Sequence, residues 1–206
     1  MKNAFRNLQD FAAVIPAAGF SGRMGIPKVA LSFDANHTFA EKIAKGYLDA
    51  GVRQIVLVVN KQGKAALEEK QARFDKSRVR MVLNAFPEKE RFFSLQTGLK
   101  FLQDFRAVFL QNIDNPFVSP ETLWQIAALY EPESYVVPQY KGRGGHPVLL
   151  SQKIVSELVS FPDEKANLRD FLHKYRKIIC PVDRDETLIN INSPDAYRHY
   201  FNSPPR

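Results

Sequence analysis

The residues best placed to do chemistry stand in the stretch AAVIPAAGFSGRMGIPK, residues 12–28. An apolar run breaks there into a loop of small residues. Ala17, Ala18 and Gly19 leave the backbone unshielded, so its N–H groups can approach an anion closely. Arg23 adds a planar fork of donors and Lys28 a point charge, and both suit phosphate. The loop is neither of the two familiar glycine patterns. A phosphate loop of the Walker type needs a second glycine where Met24 stands and a glycine before the lysine where Pro27 stands. A dinucleotide fingerprint needs glycine where Ser21 stands. A P-loop ATPase and a nicotinamide dehydrogenase are therefore disfavoured, and the loop reads as a phosphate cradle of another kind or as a plain surface loop.

Two other places carry chemistry. Asp114, in AVFLQNIDNPFVSPETL, follows an apolar run and precedes Pro116. It reads as a turn aspartate or as a hard oxygen ligand for Mg²⁺. In QYKGRGGHPVLL, Gly144 and Gly145 sit between two strand-like runs, beside Arg143 and His146. That segment reads as a flexible hairpin, or as one whose backbone approaches a second ligand while Arg143 pairs with its phosphate.

Strand-like and helix-like segments alternate around these residues. Apolar runs at 12–16, 52–60, 78–84, 106–112 and 134–139 predict strands, with HPVLL and RKIICPV as later ones. Thr38 and Glu41 predict a capping box. Ser119, Pro120 and Glu121 predict a second helix start, and Ser193, Pro194 and Asp195 a third. No repeat or linker divides the chain, so residues 1–206 are expected to form one domain. The βαβα series predicts a three-layer α/β/α architecture with a mainly parallel, Rossmann-like sheet. Ligands then belong at the carboxyl ends of the strands, where the loops above lie.

At this point the residues resemble a family. AAGFSGRMGIPK is similar to the signature A-A-G-x-S-x-R-M-G-x-P-K of the nucleotidyltransferases related to molybdenum cofactor cytidylyltransferase (MobA/MocA-like), with Phe20, Gly22 and Ile26 at the variable places. In that family the loop wraps a nucleotide triphosphate. The resemblance implies the nucleotide-diphospho-sugar transferase type of fold, and the alanine pair favours CTP over GTP. DNP at 114–116 matches the family's Asp-x-Pro, which makes Asp114 the ligand of a Mg²⁺ cofactor. Asn84, Ser94, Leu95 and Gly98 match its Asn-Pro…Ser-Leu…Gly segment, so Asn84 and Ser94 are expected to line the nucleotide site. Arg91, Phe92 and Phe93 stand where the family has a glycine-methionine pair. Asn60, at the end of VLVVN, is expected to face the base. Arg143 and His146 match the family's R-G-H-P region with one extra glycine, and so face the acceptor.

The resemblance also implies the reaction. A phosphate oxygen attacks the α-phosphorus of an NTP and pyrophosphate leaves. The nucleophile is already anionic, so positioning and charge neutralisation matter more than a general base. Arg23, Lys28 and Asp114 are the expected catalytic groups. Near the C-terminus, Asn190 and Asn192 stand where many relatives carry two aspartates. Asparagine can ligate Mg²⁺ through its carbonyl, without charge, so Asn192 is the expected second metal ligand. Asn167, Leu168, Arg169 and Asp170 replace the Gly-Ala-Arg form of the cytidylyltransferases proper. Molybdopterin is thus one candidate among phosphorylated acceptors. Two rivals remain open: a sugar-phosphate nucleotidyltransferase, and a non-catalytic nucleotide-binding accessory protein.

Composition bounds the rest. The chain is 45% hydrophobic and 25% charged, ordinary for a globular protein. The net charge of +7 comes from scattered basic residues interleaved with acids, so no nucleic-acid arm is expected. No apolar run approaches the roughly 20 residues of a membrane span. The first residues, MKNAFRNLQD, lack the apolar core of a signal peptide. A single cysteine, Cys180, excludes an intrachain disulfide and reads as a buried structural thiol. A cytoplasmic monomer or weak homodimer is expected, with no membrane or nucleic-acid partner.

Overall fold

The computed structural model describes residues 7–22, 24–163 and 166–205, and of Glu90 the backbone only. Its strands are β1 (Phe11–Pro16), β2 (Gln54–Val59), β3 (Val79–Leu83), β4 (Ala107–Leu110), β5 (Ser134–Tyr140), β6 (Arg143–Gly144), β7 (Val148–Ser151) and β8 (Arg176–Pro181). The strand order is β3-β2-β1-β4-β7-β5-β6, with β8 also paired to β5. β3, β2, β1 and β4 run parallel. β7 is antiparallel to β4 and β5, and β8 is parallel to β5. The sheet is therefore mixed, with the expected parallel ladder at its centre.

Each central strand is buried on both faces, as crossover helices require. Alternate residues feed two cores. Ala13, Ile15, Leu57 and Phe109 pack on one face with Phe39, Ile43, Tyr47 and Leu123. Ala12, Val14, Val58 and Leu110 pack on the other with Leu95, Leu99, Ile154 and Phe171. The first face carries α1 (Phe39–Asp49) and α4 (Pro120–Ala128), together with Tyr197 of α7 (Pro194–Phe201). The second carries α3 (Glu90–Leu99), α5 (Gln152–Val159) and α6 (Leu168–Leu172). Gly98 lets α3 lie against the sheet, since a Cβ there would come within 2.5 Å of Val14 and 2.7 Å of Val58. Cys180 is buried, as expected.

The predicted helix starts are present with the predicted chemistry. Glu41 N–H donates to Thr38 Oγ1 and Thr38 N–H donates to Glu41 Oε2, completing the capping box of α1. Ser119 and Ser193 accept from Thr122 and Ala196 N–H, each followed by proline at the start of the helix. α2 (Lys61–Glu69) is capped by Asn60. Among the described residues no helix is long and apolar enough to cross a membrane.

The ladder continues beyond the strand ends and sets three loops in one row. Ala17 N–H donates to Val58 O, Asn84 N–H to Val59 O, and Gln111 N–H to Val14 O. The loops after β1, β3 and β4 thus leave the sheet on one edge, at the carboxyl ends of its parallel strands.

Candidate active site

A pocket of about 200 Å³ opens where those loops meet. It is lined by Ala17, Ala18, Gly19 and Ser21 of the first loop, by Lys28, and by Arg91, Ser94, Asn112 and Asp114. The N–H of Ala17 is already bonded into the ladder. Those of Ala18 and Gly19 have no hydrogen-bond partner among the described residues. Gly19 faces open space: apart from its own chain neighbours, no atom of the described residues lies within 4 Å of where a Cβ would be. These are the features of a backbone anion cradle.

The loop is braced from behind. Asn60 Nδ2 donates to Ala18 O at 2.8 Å, and Asn60 Oδ1 accepts from Gly63 N–H at 2.7 Å as the cap of α2. Asn60 is buried, and both ends of its amide serve the scaffold. Ser21 Oγ accepts from Lys28 N–H at 3.1 Å and closes the loop on itself. Gly25 supplies the left-handed turn, at φ +70°. Arg23, an expected catalytic cation, lies outside the described residues.

Lys28 connects the two halves of the chain. Its Nζ donates to Asn192 Oδ1 at 2.5 Å and stands 3.7 Å from Asp114 Oδ2. The turn holding Asp114 is fixed by its own polar net. Tyr47 O–H donates to Gln111 Oε1, and Gln111 Nε2 donates to Asn115 O. Asn115 Nδ2 donates to Glu186 O at 2.8 Å and to Ile189 O at 2.5 Å, and Asp114 O accepts from Ile191 N–H at 2.7 Å. This net is what carries Asn192 to the pocket.

Asn84 is buried behind the pocket wall. Its Nδ2 donates to Ser94 Oγ at 2.9 Å, so Ser94 reaches the pocket while Asn84 orients it. His146 and Arg143 part company. His146 Nε2 accepts from Asn112 Nδ2 at 2.7 Å, beside the pocket. Arg143 is exposed and borders a neighbouring groove with Lys141, Asn190 and Tyr200. Burial pulls the His146 imidazole down to about 4, the Arg91 guanidinium adds to this, and Asp114 opposes it. The ring is neutral at neutral pH, in keeping with a reaction that needs no base.

Arg91, Asn112 and Asn115 are site residues that the sequence reading did not assign. Arg91 is solvent-exposed as a residue, yet protein atoms crowd its guanidinium and lower its pKa, while the Asp114 charge opposes the shift. The group remains charged. Its signal was its position three residues before Ser94. That of Asn112 and Asn115 was membership of the same turn as Asp114.

The family follows from a direct match: residues 13–178 fit the model of the MobA-like NTP transferase domain. The chain belongs to the MobA-like NTP transferases. It is a nucleotidyltransferase. Among curated proteins it is similar to molybdenum cofactor cytidylyltransferase of Escherichia coli K12, 25% identical over 184 residues, or 89% of this chain and 92% of that one. Among solved structures it resembles Rv0371c of Mycobacterium tuberculosis H37Rv, at TM-score 0.76 and 25% identity over 95% of this chain and 99% of that one. A manganese complex of Rv0371c matches at TM-score 0.73 and 23% identity, over 94% and 99% of the two chains.

Proposed function

We propose that this MobA-like transferase moves a nucleoside monophosphate from an NTP, with CTP favoured, to a phosphorylated small-molecule acceptor, and that it uses a divalent ion, Mg²⁺, held by Asp114. The observation that carries this reading is the convergence of Lys28, Asp114 and Asn192 beside the open N–H groups of Ala18 and Gly19. A loop that bound only a phosphate would not need a carboxylate so near. A carboxylate beside the phosphates is repulsive unless a cation lies between them.

The residues fit such an ion. Asp114 Oδ1 is buried and has no hydrogen-bond partner among the described residues. It is a hard oxygen, which suits Mg²⁺ or Mn²⁺. The manganese complex of Rv0371c supports a divalent ion in this fold. When bound, the ion would neutralise phosphate oxygens and orient the α-phosphate for in-line attack.

The chain's own groups do the rest. The Ala18 and Gly19 N–H groups hold phosphate oxygens of the nucleotide. Lys28 leaves Asn192 for the triphosphate and offsets charge as pyrophosphate departs. Arg91 supplies a second cation from the lining of the same pocket. Arg143 and Lys141, across the 189–192 segment, present charge to a phosphorylated acceptor, with molybdopterin as a candidate supported by the Escherichia coli relative.

The test is a panel: pyrophosphate release and equilibrium binding with CTP, GTP, ATP and UTP, each with and without Mg²⁺. A metal-dependent preference for CTP supports the reading. Equal binding of all four, with no metal effect, overturns it.

A further inference from the structure

We infer that Asn112 is a further ligand of the divalent ion, positioned for that role by His146; this rests on the reading above that Asp114 holds such an ion. Asn112 is 7% exposed and borders the same pocket as Asp114, two residues along one turn. The turn is rigid, because Asn112 O accepts from both Gln111 Nε2 and Asn115 N–H. The side-chain amide of Asn112 is divided. Its Nδ2 is spent on His146 Nε2 at 2.7 Å, which turns the carbonyl the other way. That carbonyl, Asn112 Oδ1, is buried with no hydrogen-bond partner among the described residues, and Asp114 Oδ1 is in the same condition.

Two unpartnered buried acceptors on one turn are an unusual pair, since buried polar atoms are nearly always satisfied. Both are oxygens and neither can donate, so what completes them is a cation or a donor. No group of three or more His, Cys, Asp or Glu that could hold a metal occurs among the described residues. Beside the phosphate oxygens and water, a further protein ligand of an ion on Asp114 is therefore a neutral oxygen. Amide carbonyls serve hard cations well. The other candidate amide oxygen, Asn192 Oδ1, accepts from Lys28 and comes free only once Lys28 moves to the triphosphate. The Asn112 oxygen is available without displacing anything. His146 then acts as a positioning residue, holding the Nδ2 end of the amide so that the oxygen is the end left for the ion, as outer-shell partners of metal ligands do.

The experiment measures Mn²⁺ affinity directly, by the electron paramagnetic resonance signal of free Mn²⁺, on the full chain with α,β-methylene-CTP, which cannot transfer its nucleotide. Asn112→Ala should weaken Mn²⁺ binding tenfold or more. Asn112→Asp, which keeps an oxygen in place and adds charge, should restore or exceed wild-type affinity. Thermal melting reports folding, and if Asn112→Ala does not fold, Asn112→Ser against Asn112→Asp makes the same comparison. Binding within threefold of wild type in the Ala or Ser variant, or no recovery with Asp, overturns the inference. If Asp114→Ala also binds Mn²⁺ as wild type does, the Asp114 reading itself fails, and that outcome is separate from the first.

Discussion

Lys28 and Asn192, 164 residues apart in sequence, meet at 2.5 Å between Nζ and Oδ1. The contact joins the loop after the first strand to the segment before the last helix, with Asp114 3.7 Å from the same ammonium. The lysine thus touches both groups expected to serve the metal. Removing Lys28 removes a charge whose work is greatest as pyrophosphate leaves. Lys28→Ala should lower kcat/KM for pyrophosphate release by roughly 10²–10³, comparable to losing one preorganised electrostatic contact. The fall should be mostly in kcat. Steady-state kinetics with saturating CTP checks this, and a wild-type kcat in the variant would contradict it.

Asn60 gives a prediction of a different kind, because its amide serves the scaffold. Asn60→Ala removes the α2 cap and the bond to Ala18 O together. Loss of a cap costs about 1 kcal/mol, and a buried carbonyl left unpaired adds about 1–3 kcal/mol. Urea unfolding should show a loss in that range. Nucleotide KM should rise with little change in kcat, since the cradle loosens but the reacting groups remain.

How the chain would fold was widely legible. Thr38 with Glu41, and the Ser-Pro pairs at 119 and 193, announce their helices because capping is local chemistry. The loop at 17–28 was legible for the same reason, since its small residues and cations are contiguous. What the sequence hid is what depends on distance. An asparagine at a strand end looks alike whether it faces a base or caps a helix, and Asn60 does the second. Arg143 and His146 are three residues apart, yet Arg143 borders an exposed groove while His146 turns inward to Asn112. Arg91 looked like a departure from a pattern, and only α3 packed against the sheet shows that it reaches the pocket.

Two glycines separate ligand space from packing space. At Gly145 a Cβ would stand 2.2 Å from Thr187 O, a backbone atom that also accepts from His146 N–H at 2.9 Å. Gly145→Ala must push the 185–188 turn away, so it should destabilise the fold by about 1–3 kcal/mol. At Gly19 a Cβ meets nothing. Gly19→Ala should leave the melting temperature unchanged and weaken NTP binding, because the methyl enters the space the phosphate needs. Melting curves and nucleotide titrations on both variants check the contrast. Equal NTP affinity in Gly19→Ala would show that the loop is not the cradle.

His146 makes stability depend on pH in a stated direction. Its folded pKa of about 4 lies below the ordinary 6.5. Between those values the unfolded chain takes up a proton that the folded chain does not, so the unfolded state is favoured as pH falls. The stability this ring leaves intact at pH 7 is lost progressively from about pH 6.5 down to about pH 4, and the loss then levels off. The shift corresponds to at most about 3 kcal/mol over that window. His146→Gln removes the titration and keeps a polar amide beside Asn112. Urea midpoints of metal-free protein, measured from pH 7 to pH 4, should fall more steeply for wild type than for the variant. Parallel curves would show that the ring titrates as it does in water. In the same scheme kcat has no inflection from His146 between pH 6 and 8, because the ring stays neutral throughout and the attacking phosphate oxygen needs no base.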